Sequence, residues 1–157
     1  MKGNFLIAFI IATLVFSVDR YTKNWVSKNF RIGESKSVYK DYIKITHIKN
    51  PWVAWGLKIF GKNKYLYIIL PAGLFILLII WAFIEKDLFT LIFLGCVIGA
   101  GLGNLYDRII FGEVTDFIDI GIKDKRWPVF NVADAVITTS LIIYSLKSIL
   151  TFKKRRK

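Results

Sequence analysis

Residues 65–103 read YLYIILPAGLFILLIIWAFIEKDLFTLIFLGCVIGAGLG, and they decide the architecture. Two apolar runs, about 65–84 and 88–104, are separated only by Glu85, Lys86 and Asp87. Each is about the length a helix needs to cross hydrocarbon, and the polar turn forces them into an antiparallel hairpin. Pro71 in the first run is tolerable where neighbouring helices satisfy the freed carbonyl. In the second run Gly95, Gly99 and Gly103 recur every fourth residue, a stripe that lets another helix approach closely. A phosphate-cradling loop is the alternative for the cluster Gly99, Gly101 and Gly103. No strand precedes it and no lysine follows it, so packing is the expectation.

Two further apolar runs flank the hairpin. The first covers about 4–19 (FLIAFIIATLVFSV, then Asp19), behind Lys2. It is short enough to resemble a signal-peptide core, yet Phe16, Ser17 and Val18 supply no small-x-small cleavage signature, so a retained span is expected. The last covers about 132–152 and ends before KKRRK. Four spans place both chain ends on one side, and Lys2 with Lys153, Lys154, Arg155, Arg156 and Lys157 argues for the cytoplasm. The lysine-rich segment 20–64 would then lie outside, so charge alone orients the chain weakly.

Composition agrees. The 157 residues are 55% hydrophobic and carry a net charge of +12, which fits a membrane protein touching anionic headgroups. Nucleic acid is not an expected partner, since little soluble surface remains. One cysteine excludes an internal disulfide, and one histidine excludes a multi-histidine metal site within the chain. Cys96, in an apolar run without a cation nearby, reads as an inert packing residue.

Ser37 to Lys49 alternates with β-branched enrichment, placing Ile43, Ile45 and His47 on one face. A small sheet on the bilayer is expected over about 30–62, with Trp52 and Trp55 at the headgroup boundary and His47 as a sheet residue. The fold class is therefore an all-α membrane protein of four transmembrane helices, with a small extracytoplasmic β-sheet between helices 1 and 2, in a single domain. A loop of about 105–131 joins the third span to the fourth.

Polar residues gather at one depth of this topology. Asp19, Arg20, Thr22 and Lys23 lie where span one leaves the membrane, and Asn104, Asp107 and Arg108 where span three leaves it. Asn131 and Asp134 lie where span four enters, with Asp116 and Asp119 in the connection. Intramembrane acids mark functional sites by default. Blander readings stand beside this one: Asn131 and Asp134 as a helix cap, Asp107–Arg108 as an interfacial ion pair, Asp119 as a loop residue. A small ion or solute transporter using these aspartates is the rival function, and an assembly factor is a third. Ser17 with Lys23, or Ser145 with Lys147, would suit a serine–lysine protease, but neither pair accounts for the convergent aspartates.

Four boxes in register sharpen the choice: Asp19-Arg20-Tyr21-Thr22-Lys23, Gly103-Asn104-Leu105-Tyr106-Asp107-Arg108, Gly112-Glu113-Val114-Thr115-Asp116-Phe117 and Phe130-Asn131-Val132-Ala133-Asp134. On these the chain resembles the lipoprotein signal peptidase (signal peptidase II) family of bacterial membrane aspartyl proteases. Asn50 to Gly56, NPWVAWG, departs from the family pattern: Trp52 stands for a glycine and Trp55 for a phenylalanine, while Asn50, Ala54 and Gly56 remain.

The resemblance implies Asp116 and Asp134 as the catalytic pair, with Asp19, Lys23, Asn50, Gly103, Asn104, Asp107, Arg108 and Asn131 in support. It implies an endopeptidase that cuts diacylglyceryl-modified prolipoproteins before the lipidated cysteine. It further implies no metal or cofactor, membrane lipids as surroundings, a monomer, and an active site near the outer face of the bacterial cytoplasmic membrane. Two carboxylates sharing one site cannot both ionise cheaply. Asp134, in a helix's first turn where negative charge is favoured, is expected to be the charged member and Asp116 the proton carrier.

Overall fold

The computed structural model describes residues 2–52, 61, 63 and 65–155. Four long helices carry the chain: α1 (Lys2–Asn29), α2 (Leu66–Ile84), α3 (Leu88–Phe111) and α4 (Val132–Arg155). All four are long and apolar enough to cross a membrane. Helix α3 is the centre, with α1, α2 and α4 packed around it. Its apolar window is 61% buried, whereas that of α4 is 0% buried. Large apolar side chains of the outer helices, such as Leu77 and Leu146, point outward, an arrangement that suits hydrocarbon and not water.

The glycine stripe packs α1 against α3. A Cβ on Gly95 would come within 2.8 Å of the Ala8 carbonyl oxygen. One on Gly99 would overlap the backbone of Ala12, and one on Gly103 the carboxylate of Asp19. Gly101, by contrast, faces open space. The core beside this seam includes Ala8, Ala82, Leu91, Leu94 and Ile98, and Phe93 stacks on Tyr144 of α4 at 4.2 Å. The polar turn between α2 and α3 satisfies itself: Glu85 accepts from the backbone of Lys86 and Asp87, and Asp87 caps Thr90 N at 2.9 Å.

The sheet expected between the first two helices is present and is completed from the connection between α3 and α4. Strands β1 (Ser35–Tyr39) and β2 (Ile43–Asn50) follow α1, while β3 (Val114–Ile122) and β4 (Lys125–Arg126) follow α3. All neighbours are antiparallel in the order β1-β2-β3-β4. Gly112, at φ 77°, ends α3 and turns the chain into β3, a backbone conformation that favours glycine.

Two expectations change here. Asp119 is not a loop residue: it lies in β3, is buried, and accepts from Arg126 Nε at 2.6 Å and Thr46 Oγ1 at 2.7 Å. Asp107 and Arg108 do not pair, because consecutive helix residues diverge by about 100°. Asp107 turns to α1 and Arg108 to the Trp52 carbonyl. His47 is a sheet residue as expected, buried against the end of α1, where Nδ1 lies 2.9 Å from the Phe30 carbonyl. Residues 53–60, which include Trp55, Ala54 and Gly56 of the departing box, lie outside the described residues.

Candidate active site

Asp116 and Asp134 reach the same place by different routes. The edge of β3 is pinned by residue 130: Phe130 N donates to Ile118 O at 3.1 Å, and Ile118 N donates back at 2.7 Å. The next residue, Asn131, is thereby set beside Asp116 just before α4 begins. Its backbone N–H donates to Asp134 Oδ2 at 3.3 Å, and its Oδ1 accepts from Asp134 N at 2.9 Å. That is a reciprocal cap of the kind found at helix starts. Its Nδ2 is left to donate to Asp116 Oδ1 at 2.7 Å. One asparagine thus holds both acids, so capping and site assembly are the same contact.

The other amides are equally constrained. Asn50 Oδ1 accepts from Trp52 N at 3.0 Å, which aims Nδ2 at Asp116 Oδ2, 2.9 Å away. Asn104 Oδ1 accepts from Lys23 Nζ at 2.8 Å and from Asn131 Nδ2 at 3.1 Å. Its Nδ2 therefore faces Asp134 Oδ1, at 2.8 Å. The buried ammonium of Lys23 fixes the orientation of the amide that serves Asp134.

Beneath lies a layer of buried charge. Lys23 meets Asp19 at 2.8 Å and Asp107 at 3.2 Å, so with Asn104 its three N–H groups are all used. Asp19 Oδ1 accepts from Ala133 N at the start of α4, at 3.1 Å. Asp107 Oδ2 accepts from Thr115 N in β3, at 3.2 Å. One acid therefore holds the segment bearing Asp134, the other the segment bearing Asp116, and Lys23 ties the two together. Gly103 belongs to this layer because only a missing side chain leaves room for Asp19. Arg20 pairs with Asp107 over the ring of Tyr106.

Arg20 and Thr115 stand within the quoted boxes but are not among the supporting residues that the resemblance implies. Their contacts depend on α1 meeting α3 and on where β3 starts, so the boxes mark the residues but not what they touch.

Arg108 donates to the carbonyls of Asn104, at 3.2 Å, and Trp52, at 3.0 Å, within Coulomb range of Asp134, Asp116 and Asp107. Trp52 contributes its backbone here, while its ring packs edge-on against Tyr67 of α2. Asp116 is 2% exposed. Burial, then the negative charge of Asp134, push its carboxyl up to about 6, against the lowering hydrogen bonds from Asn50 and Asn131. Two cavities flank the pair: about 280 Å³ against Asp134 and Phe130, and about 270 Å³ against Asp116, Asn50 and Lys49. Among the described residues no cluster of acids, cysteine and histidine is arranged to hold a metal ion.

Fold and site together define a polytopic membrane protein with two amide-held carboxylates at one end of its helices. The chain belongs to the signal peptidase II family, whose sequence profile, described as signal peptidase (SPase) II, matches residues 11–150. It is 38% identical over 136 residues to the lipoprotein signal peptidase of Wigglesworthia glossinidia brevipalpis, covering 85% of this chain and 88% of that one. It is 34% identical over 161 residues to that of Syntrophus aciditrophicus (strain SB), covering 99% of each. A solved bacterial membrane enzyme superposes with a TM-score of 0.83 at 29% identity, over 96% of this chain and 91% of the other. A second solved bacterial membrane enzyme gives 0.79 at 29% identity, over 89% and 90%. Membership makes this an inner-membrane protease that processes lipoproteins.

Proposed function

We propose that the protein is an aspartyl endopeptidase in which Asp116 and Asp134 activate water against the peptide bond preceding a diacylglyceryl-cysteine. The observation that carries this reading is the double grip of Asn131, one donor on each carboxylate. Asp134 is the charged member, receiving N–H groups from Asn104 and Asn131 in the first turn of α4. Asp116, buried and raised to about 6, carries the proton.

Water lying between them gives a proton to Asp134 as its oxygen attacks the carbonyl carbon. Asp116 simultaneously protonates the carbonyl oxygen, giving a neutral tetrahedral intermediate. The C–N bond then breaks as Asp134 returns its proton to the leaving amine, and Asp116 recovers its own. Signal peptide and lipid-bearing chain separate with atoms balanced and both acids restored.

Asn50, Asn104 and Asn131 orient the acids. Asp19, Lys23, Gly103 and Asp107 hold the segments that bear them, and Arg108 balances their charge. All these groups come from one copy of the chain, which supports action as a monomer. Both termini are assigned to the cytoplasm and the pair to the outer face, where lipid-modified substrates arrive laterally through the bilayer. A cation pathway is disfavoured by Lys23, whose fixed ammonium already occupies the acids beneath the site.

Purified protein and a diacylglyceryl prolipoprotein provide the test. Asp116→Asn and Asp134→Asn each abolish release of signal peptide while substrate binding persists. Normal cutting by both variants would refute the dyad. Ion movement in sealed vesicles, without cleavage by the wild type, would favour a transporter.

A further inference from the structure

The cavity against Asp134 is walled by Trp127, Phe130, Ala135, Thr138 and Thr139. Apart from the carboxylate itself its surface is apolar. Thr139 contributes to that character, since its hydroxyl is turned back to Ala135 O at 2.7 Å and Val136 O at 3.2 Å. The cavity also does not end at the helix start. Ala135, Thr138, Thr139, Ile142, Leu146 and Ile149 recur at helical spacing and share one face of α4. Ile142, Leu146 and Ile149 are all more than half exposed. From Ala135 to Ile149 this face descends about 21 Å along the helix, deeper than half the hydrocarbon thickness of about 30 Å.

The matching cavity at Asp116 has a different lining, with Lys49, Asn50 and Pro51 on the sheet side. Its walls also include Ile48, Pro128 and Val129, but Lys49 and Asn50 give it a charged and an amide group that the α4 track below Asp134 lacks.

We propose that the cavity at Asp134 and the α4 face below it seat one acyl chain of the lipidated cysteine, with Thr138 and Thr139 setting its fit. The proposal rests on the protease reading above and adds the element that measures the lipid. Continuity carries it: an acyl chain starting beside the scissile bond passes from the pocket, across Thr138 and Thr139, onto the exposed apolar side chains of Ile142, Leu146 and Ile149. The peptide, which has hydrogen bonds to satisfy, takes the Asp116 side. Seating the chain fixes the register of the cysteine against the acids, so acyl length governs the efficiency of cutting.

The test uses full-length protein in lipid and one prolipoprotein carrying either long or short acyl chains. Wild type prefers the long-chain substrate. Thr138→Trp, which fills the cavity from an exposed helix position, reduces the ratio of long- to short-chain kcat/KM roughly tenfold, the loss expected from about two unburied methylenes. Thr138→Val keeps the ratio. A photoactivatable group on the substrate's acyl chain, used with the uncleaving Asp116→Asn variant, labels α4 between residues 138 and 146.

The proposal is overturned if wild type ignores acyl length, if Thr138→Trp lowers both rates equally, or if its effect follows the size of the signal-peptide residue before the cysteine. Labelling of the same residues by a tagged phospholipid that substrate does not displace would make this a lipid annulus instead. Those outcomes leave the protease standing; absence of cleavage by the wild type removes the reading beneath both.

Discussion

Asp116 lies in an environment that favours its protonated form. It is buried, faces a second acid, and stands at about 6 rather than the usual 3.8. Because its folded value is raised, the stability associated with its neutral form is complete below pH 3.8 and is lost as pH rises through 6, costing about 3 kcal/mol. For catalysis the sign on the alkaline side is the same: kcat/KM is expected to fall about tenfold per unit as pH rises above 6. An infrared carboxylic band is expected to disappear through pH 6 in the wild type and to be missing in Asp116→Asn. In Asp134→Asn it moves to lower pH, since the repelling charge has gone. A wild-type band that persists to pH 8 would assign the proton differently. At this scale the residues alone gave a polar cluster at one depth, and the resemblance carried by the four boxes singled out both acids and their asparagines. It did not reveal that Asn131 grips both, or that Lys23 orients Asn104, since those contacts span separate elements. Asp119 was misread for a related reason: its partner Arg126 lies across a strand pairing, which a loop reading omits.

The three glycines of the α1–α3 seam and the glycine beside them separate packing from propensity. Gly99 has the backbone of Ala12 where its Cβ would be, while Gly101 has nothing within 4 Å. Gly99→Ala therefore drives two backbones apart and, through α1, shifts Asp19 and Lys23. Gly101→Ala only gains helix propensity, worth about 1 kcal/mol. Thermal unfolding in detergent separates them, with Gly99→Ala melting below the wild type and Gly101→Ala at or above it. Equal destabilisation by both would mean that the stripe does not govern the seam. The fourfold spacing made this helix face legible. The extension of the sheet was not, because Val114–Ile122 reads as a polar connection until it pairs with Ile43–Asn50. β2 supplies the partner that turns a tethered aspartate into one held on a strand.

Across the whole molecule, hydropathy settled the number of spans but charge could not settle their direction, with lysines on both sides of the bilayer. The structure adds a constraint that charge counting lacks. Strands from the α1–α2 and α3–α4 connections form one sheet, so both connections, and the acids they position, must lie on the same side. The Glu85–Asp87 turn and both chain ends then lie on the other. The proposed function puts the sheet on the outer face, and cysteine labelling tests that assignment. Replacing Cys96 with serine leaves a background in which Lys125→Cys and Lys86→Cys report the two faces separately. A membrane-impermeant maleimide labels Lys125→Cys on intact spheroplasts, and labels Lys86→Cys only after the membrane is opened. The reversed pattern would invert the protein and place its acids in the cytoplasm. Labelling of both positions from outside would break the four-span topology, and with it the single depth at which residues 19, 104, 116 and 134 meet.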